Sequence, residues 1–469
     1  MTQDPRAFPQ NVRLALGNKR LQSALVRLKT HFSVGRRKSI ERFGDFEALR
    51  EAGRDIRNYA LDHLDTLLET FEKNVALRGG DVHWARDPAE AREIILNILR
   101  EAGAKTVTKG KTMVSEEIEL NPYLEANGIT PVETDLGEYI VQLRHEPPSH
   151  IIAPAFHLHK EQVAETFRTA HRQLDPERPL GERNALVAEA RTVLRERFEA
   201  ADAGITGANF LSAEDGAAII VTNEGNGDLT RLLQKMHIVL TGIEKVVANL
   251  DDMAVLLRLL TRSATGQEIS TYVSIMAGPR ESGETDGPKD FHVVLLDNGR
   301  SSLLGTEAQD ILRCIRCSAC INHCPVYIAV GGHAYGATYP GPLGAAFNPG
   351  LLGITAAHHH SNASTLCGRC AEVCPVKIPL PKIIRHWRAQ EYAKRLAPKI
   401  PVFALCLWAF AAKRPALYGF GARVSARLLR FLAGRRGAVR ALPLRNGWFA
   451  VRDFPAPHGK TFKELWRNR

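Results

Sequence analysis

No stretch of this 469-residue sequence reaches the 18 or so apolar residues that a membrane-spanning helix needs. The nearest, "IPVFALCLWAFAA" (Ile400–Ala412), ends at Lys413 and Arg414 and suits only a buried or interfacial helix. The amino terminus, "MTQDPRAFPQNVRLAL", lacks a basic stretch followed by an apolar run. Neither a signal peptide nor a twin-arginine export signal is expected, and the expected location is cytoplasmic. Nucleotide and flavin fingerprints are missing: "NEGNG" (Asn223–Gly227) follows a strand-like run but has neither G-x-G-x-x-G nor a Walker lysine. No Ser/His/Asp or Cys/His nucleophile set stands out. Recognition-helix, zinc-finger and RNA-binding patterns are absent too, so nucleic acid is not an expected partner. Cysteine is sparse and unevenly placed. Seven of the eight lie between 314 and 374, whereas a disulfide-stapled secreted protein would spread them through the fold.

What is present divides the chain. The length exceeds one ordinary core, and 44% hydrophobic with 24% charged residues reads as soluble and globular. Residues 1–75 repeat apolar side chains at three and four spacing, which predicts a helical amino-terminal extension packed on the domain after it. Over 76–302 the pattern alternates. Helices such as "AREIILNILREAGA" separate strand-like "KTVTKGKTM", "TPVETDLGEYIVQL", "AAIIVTNEG", "KMHIVLTGIEKVV" and "FHVVLLDNGR". That alternation predicts an α/β domain with a mostly parallel sheet, whose pocket lies at the strand carboxyl ends near "TKGKTM", "ETDLGE", "TGANF" and "TNEGNGD". Residues 303–385 carry the cysteines on helical segments, and 386–469 form a basic carboxyl-terminal domain. From Arg395 onward sixteen Lys/Arg stand against two acids, a net +14, which leaves −3 for the rest of the chain. Arg423, Arg427, Arg430, Arg435, Arg436 and Arg440 are expected to meet an acidic partner or the inner membrane face, or to form a solvated helical face. Phe462 and Trp466 are spaced to anchor one face of a short terminal helix.

The cysteines carry the sharpest signal. "CIRCSACINHCPV" (Cys314–Val326) has the C-x2-C-x2-C-x3-C-P spacing of bacterial two-cluster ferredoxins, in which the fourth cysteine ligates the other cluster. "CGRCAEVCPV" (Cys367–Val376) repeats the ending with three cysteines. The spacing assigns Cys314, Cys317, Cys320 and Cys374 to a first [4Fe–4S] cluster, and Cys324, Cys367 and Cys370 to a second. The register of the repeat puts the missing ligand at Ser364. The second cluster is then [3Fe–4S], or [4Fe–4S] completed by Ser364, by one of His358–His360, or by an open iron. Structural zinc favours two cysteine pairs a dozen or more residues apart, so iron–sulfur is the expected chemistry. Cys406, in the apolar run, is expected to be a buried small hydrophobe.

Other candidates are weaker. The His358–His360 triplet reads as a solvated loop, with a ligand or proton-relay role as the sharper alternative. Glu133, Asp135 and Glu138 suit a substrate or partner, or equally helix caps. Lys109 and Lys111 suit a substrate carboxylate.

These motifs, together with "EPPSHIIAPAFH", "GITGANFLSAEDGA", "TGQEISTY" and "GGHAYGATYPGPLGA", fall in one order along nearly the whole chain. In that order the sequence resembles the lactate utilization protein B family. The resemblance implies a Rossmann-like LUD domain joined to a helical ferredoxin-type module with seven ligand cysteines and a short carboxyl-terminal domain. It implies a part in oxidising L-lactate to pyruvate as the electron carrier of a three-component system. The implied partners are a cysteine-rich iron–sulfur protein and a shorter LUD protein. A hydroxy-acid pocket in the LUD domain, which would make this chain the catalytic subunit, is the alternative.

Overall fold

A computed structural model describes residues 1, 3–110, 112–440 and 453–467, without the side chains of Lys29, Ile400 and Pro401. Residues 1–394 form one compact unit and 395–469 another.

The first unit is built on ten strands: β1 (Asp81–Ala85), β2 (Thr106–Gly110), β3 (Thr130–Glu133), β4 (Ala203–Thr206), β5 (Phe210–Ser212), β6 (Ala217–Thr222), β7 (Met236–Gly242), β8 (Val246–Val247), β9 (Tyr272–Met276) and β10 (Asp290–Leu296). Six of them form a parallel sheet in the order β1-β10-β7-β4-β2-β3. Helices on both faces leave every residue of β7 buried, which is why "MHIVLTG" is an unbroken β-rich run rather than an alternating one. The crossover helix Pro88–Glu101 starts where Asp87 accepts from the Ala89 and Glu90 amides at 2.9 and 3.0 Å, with proline in the first turn. The chain steps from β2 outward to β3, then returns to β4 on the other side of β2. A topological switch therefore lies at the carboxyl ends of β2 and β4.

One strand lies elsewhere than the sequence pattern suggests. β6, the run "AAIIVT", pairs antiparallel with β5 and β9 in a second sheet of order β8-β5-β6-β9. Only three residues separate β4 from β5, too few for a crossover helix, so β5 and β6 close instead as a hairpin through Gly216 at φ +57. The segment "NEGNGD" therefore leaves this second sheet. Asn223 exchanges amide hydrogen bonds with Gln267 at 2.9 and 3.2 Å, and Asp228 accepts from Ser274 Oγ at 2.6 Å.

The amino-terminal helices Phe8–Gly17, Lys19–Thr30, Phe32–Glu41 and Phe46–Asp62 reach across the chain. Their apolar faces share one core with the cysteine segment, Leu25, Leu28 and Phe46 joining the cluster that holds Ile321, Tyr327 and Ile383. Gln22 donates to the Ala329 carbonyl at 2.8 Å, and Arg50 donates to that of Cys374 at 2.7 Å. The fifth helix, Leu64–Leu77, packs instead with β7 and β10.

The second unit contains helices Lys399–Ala412 and Pro415–Ala433, a two-residue ladder between β11 (Ala438–Val439) and β12 (Phe454–Pro455), and the helix Phe462–Arg467. Its aromatic side chains are largely exposed, among them Phe403, Trp408, Phe410, Phe420 and Phe431. Cys406 is exposed, not buried as the apolar run suggests, because apolar residues surround this helix and no layer covers it among the described residues. Phe462 and Trp466 stack at 5.7 Å, and both are exposed. Among the described residues no helix is long and apolar enough to cross a membrane.

Candidate metal centre

Cys314, Cys317, Cys320 and Cys374 line one apolar cavity, walled by Ile311, Leu343 and Leu380. The turns that aim them need left-handed backbone. Arg316 and Ser318, in the two C-x2-C loops, have φ of +59 and +61, conformations that cost side-chain-bearing residues roughly 1–2 kcal/mol each. The turn at Arg316 directs its amide at Cys314 Sγ, 3.4 Å away. Lys377, at φ +50, precedes the Ile378 amide, which donates to Cys374 Sγ at 3.3 Å. In the other set, Cys324 caps the helix Pro325–Val330 and accepts from the Tyr327 amide at 3.5 Å, while Leu366 and Gly368 flank Cys367 with φ of +54 and +87. Cys324 and Cys370 are buried and Cys367 is exposed.

The electrostatics divide the thiols along the same line. Burial, then the negative charges of Cys314, Cys317 and Cys374, lift the Cys320 pKa well above its ordinary value. Burial, then Cys324, lifts Cys370 to about 12. Burial raises Cys324, with Cys367 adding to it. Most of the larger repulsions stay within one set, and the one between Cys320 and Cys370 crosses between them. Such thiols surrender their protons only against a strongly bound cationic centre. An apolar cavity ringed by four sulfurs fits a soft iron–sulfur centre and not a hard oxygen-seeking ion.

A buried charge network adjoins the first set. Arg316 lies between the rings of Tyr339 and Phe347, at 4.9 and 4.8 Å, and donates to Glu244 Oε1 at 2.9 Å. Glu244 Oε2 accepts from Arg300 Nε at 2.7 Å, and both Arg300 terminal nitrogens donate to Glu117 at 2.8 Å. Burial works against the Glu244 carboxylate, but Arg300 and Arg316 outweigh it and hold its pKa at about 2. Glu117 follows β2, Glu244 follows β7 and Arg300 follows β10, so three carboxyl ends of the parallel sheet meet the cysteine loop.

The weaker candidates fall out differently. Lys109 is buried and held by Glu133 at 2.7 Å, Ser115 at 2.6 Å and Glu116 at 3.2 Å, so it is not available to a substrate carboxylate. Parallel register explains the pairing, since Lys109 stands opposite Glu133 across β2 and β3. Lys111 lies outside the described residues. Asp135 caps helix Leu136–Leu143 by accepting from the Gly137 amide, and Glu138 is buried in that helix. His358–His360 sit on helix Ile354–Asn362 rather than in a solvated loop. His358 pairs with Glu391 at 2.9 Å, and both His360 ring nitrogens are engaged, with Asn348 at 3.0 Å and the Tyr335 carbonyl at 2.7 Å. The Ser364 hydroxyl accepts from the Leu366 amide at 3.1 Å, three residues before Cys367 in the chain.

A polar cavity of about 930 Å³ opens where the segment after β2 meets the amino terminus, lined among others by Arg6, Arg20, Glu116, Arg144, Glu146 and His157. Neither this cavity nor the Glu117–Arg300–Glu244–Arg316 network is visible in residue spacing. The sequence motifs contain the residues, but nothing local marks them as neighbours.

Comparison with known proteins agrees with this architecture. Residues 68–296 match the LUD domain, 310–378 the 4Fe-4S dicluster domain, and 373–469 the carboxyl-terminal domain of lactate utilisation protein B. Proteins named lactate utilization protein B match nearly end to end. The one from Geobacillus thermodenitrificans is 43% identical over 98% of this chain and 97% of its own. That from Bacillus velezensis is 42% identical over 99% and 97%, and that from Bacillus subtilis 41% over 99% and 96%. A solved DUF162 family protein from Deinococcus radiodurans covers 50% of this chain and 98% of its own at TM-score 0.29 and 13% identity, a likeness too weak to bear on fold or function. Relatives this similar over their full length leave one conclusion: the chain belongs to the lactate utilization protein B family.

Proposed function

We propose that this chain relays electrons through two iron–sulfur clusters in an assembly that oxidises lactate to pyruvate. The observation that carries the reading is the convergence of four cysteines, three from one motif and Cys374 from the other, on one apolar cavity. Cys314, Cys317, Cys320 and Cys374 hold a [4Fe–4S] cluster; Cys324, Cys367 and Cys370 hold the second, as [3Fe–4S] or as [4Fe–4S] with one further ligand. Lactate releases two electrons and two protons, whereas each cluster passes one electron at a time, so a two-electron acceptor on a companion subunit splits the pair. This chain's residues supply the rest. Thiolates fix the clusters, amides at 3.3–3.5 Å from Cys314, Cys324 and Cys374 stabilise charge on sulfur, and Arg316 places a buried positive charge beside the first set. The exposed Cys367 marks the side on which a redox partner reaches the second cluster. The companion subunits are a cysteine-rich iron–sulfur protein and a shorter LUD protein. Anaerobic purification with iron and sulfide counting, followed by EPR before and after dithionite, tests the reading. About eight irons with two interacting reduced signals indicate two [4Fe–4S] clusters, and about seven with an oxidised signal near g = 2.01 indicate one [3Fe–4S]. Zinc without iron overturns it.

The second reading, in which this chain binds the hydroxy acid itself, draws on the polar cavity, where Arg20 offers a cation to a carboxylate. Lactate binding by the isolated chain, lost in Arg20→Ala, is its expected signature.

The basic unit reads as a peripheral contact with an anionic membrane surface. Exposed Trp408, Phe410 and Phe420 accompany exposed Arg423 and Arg427, the composition of an interfacial helix pair. The full chain is expected to sediment with phosphatidylglycerol vesicles at low salt. It is expected to stay in solution with neutral vesicles, or after Trp408→Ser and Phe410→Ser together. Failure to sediment, with retained binding to an acidic companion subunit, assigns the tail to that partner instead.

A further inference from the structure

The motifs "EPPSHIIAPAFH" (146–157) and "GGHAYG" (331–336) are far apart in the chain and take no part in holding the clusters, yet the fold seats one on the other. A Cβ at Gly332 would stand 1.8 Å from the Ser149 carbonyl oxygen, and Tyr327 donates to that same oxygen at 2.6 Å. The contact brings together Glu146, His157 and His333, one ligand-capable atom of each lying within 4.8 Å of the others, on the wall of the polar cavity.

Hydrogen bonds around the three determine which atoms keep lone pairs. Ser149 Oγ donates its only hydrogen to the Pro154 carbonyl at 2.8 Å, so toward His157 Nδ1, also 2.8 Å away, it accepts. The His157 hydrogen is therefore on Nδ1. Its Nε2 lone pair faces Glu146 Oε2 at 2.9 Å. His333 Nε2 lies 2.7 Å from the Pro147 carbonyl, which only accepts, so Nε2 carries the hydrogen and Nδ1 keeps the lone pair. Arg144 holds Glu146 through Oε1, at 2.8 and 3.0 Å, and leaves Oε2 as the single oxygen on offer. Two facing lone-pair atoms at 2.9 Å repel unless a cation or a proton sits with them. Cis ligands of a six-coordinate ion, each about 2.1 Å from the metal, stand about 3 Å apart. Imidazoles oriented through their second nitrogen by a carbonyl and a hydroxyl are the usual support of a metal site.

We propose that Glu146 Oε2, His157 Nε2 and His333 Nδ1 bind one divalent first-row transition ion, separate from the iron–sulfur centres, with its remaining positions open to the polar cavity. Two imidazoles and one carboxylate select such an ion over calcium or magnesium. The rival occupant is a second proton on His157, forming an ion pair with Glu146 and needing no metal.

The test is zinc titration of the cluster-loaded full chain against a fluorescent zinc indicator, with iron and sulfide counted before and after. One zinc per chain is expected to bind without loss of iron. His157→Gln and His333→Gln should each weaken it about 100-fold or more. Ser149→Ala, which removes only the supporting hydroxyl, should weaken it about 10- to 100-fold. His63→Gln, at a histidine bonded only to its own helix, should leave it unchanged. A wild-type chain that takes up no stoichiometric zinc overturns the proposal, as do glutamine variants with intact clusters that bind zinc like wild type.

Discussion

Cys374→Ser, purified anaerobically, is expected to lose about four iron atoms per chain and to retain those held by Cys324, Cys367 and Cys370. Cys374 is separated by only three residues from Cys370, so sequence proximity alone would group it with Cys367 and Cys370. The structure places it instead in the cavity with Cys314, Cys317 and Cys320. There, burial and the Cys314 charge push its thiol up to about 11 against the pull of the Ile378 amide. The reciprocal variant, Cys324→Ser, breaks the first motif but should spare the first cluster and empty the second. The paired outcome is a single, magnetically isolated cluster signal in each variant, different in the two. If Cys374→Ser and Cys367→Ser strip the same iron, the cross-motif assignment is wrong.

Glu244→Gln is expected to destabilise the folded chain by about 3–5 kcal/mol, the range for removing one partner from a buried ion pair. Its carboxylate is the one acidic group that bridges Arg300 and Arg316 among the described residues, and both arginines are buried. The glutamine amide can accept from one guanidinium and leaves the other charge uncompensated. Glu117 still pairs with Arg300, so the loss should fall mainly on Arg316 and the loop between Cys314 and Cys317. The sign of the pH dependence follows from the carboxylate being held at about 2 rather than its ordinary 4.5. The stabilisation is full above about pH 4.5 and fades as pH falls toward 2, a difference of about 3 kcal/mol in all. Anaerobic urea unfolding of wild type and Glu244→Gln should show the widest gap near neutral pH and a narrowing gap from pH 5 to 3. A gap of less than about 1 kcal/mol at pH 7, or one that widens in acid, contradicts the assignment.

Sequence alone determined the parts of this protein that are written locally. Cysteine spacing encodes a ligand turn because two intervening residues set the reach between sulfurs, and the ferredoxin pattern assigns Cys374 across motifs. The 3.6-residue rhythm of the first 75 residues, and β-rich runs such as "MHIVLTG", encode helices and buried strands for the same reason. The tertiary structure decided what depends on register and long-range packing. Whether Lys109 meets a substrate or Glu133 depends on how β2 and β3 align. Whether "AAIIVT" joins the parallel sheet depends on the three residues between β4 and β5. His358 and His360 became core groups because Glu391, Asn348 and the Tyr335 carbonyl arrive from other segments. The Glu244 network and the Glu146–His157–His333 cluster join residues up to about two hundred positions apart. Their pairing is enforced by the cost of burying a charge or lone pair without a partner, a cost no local pattern displays.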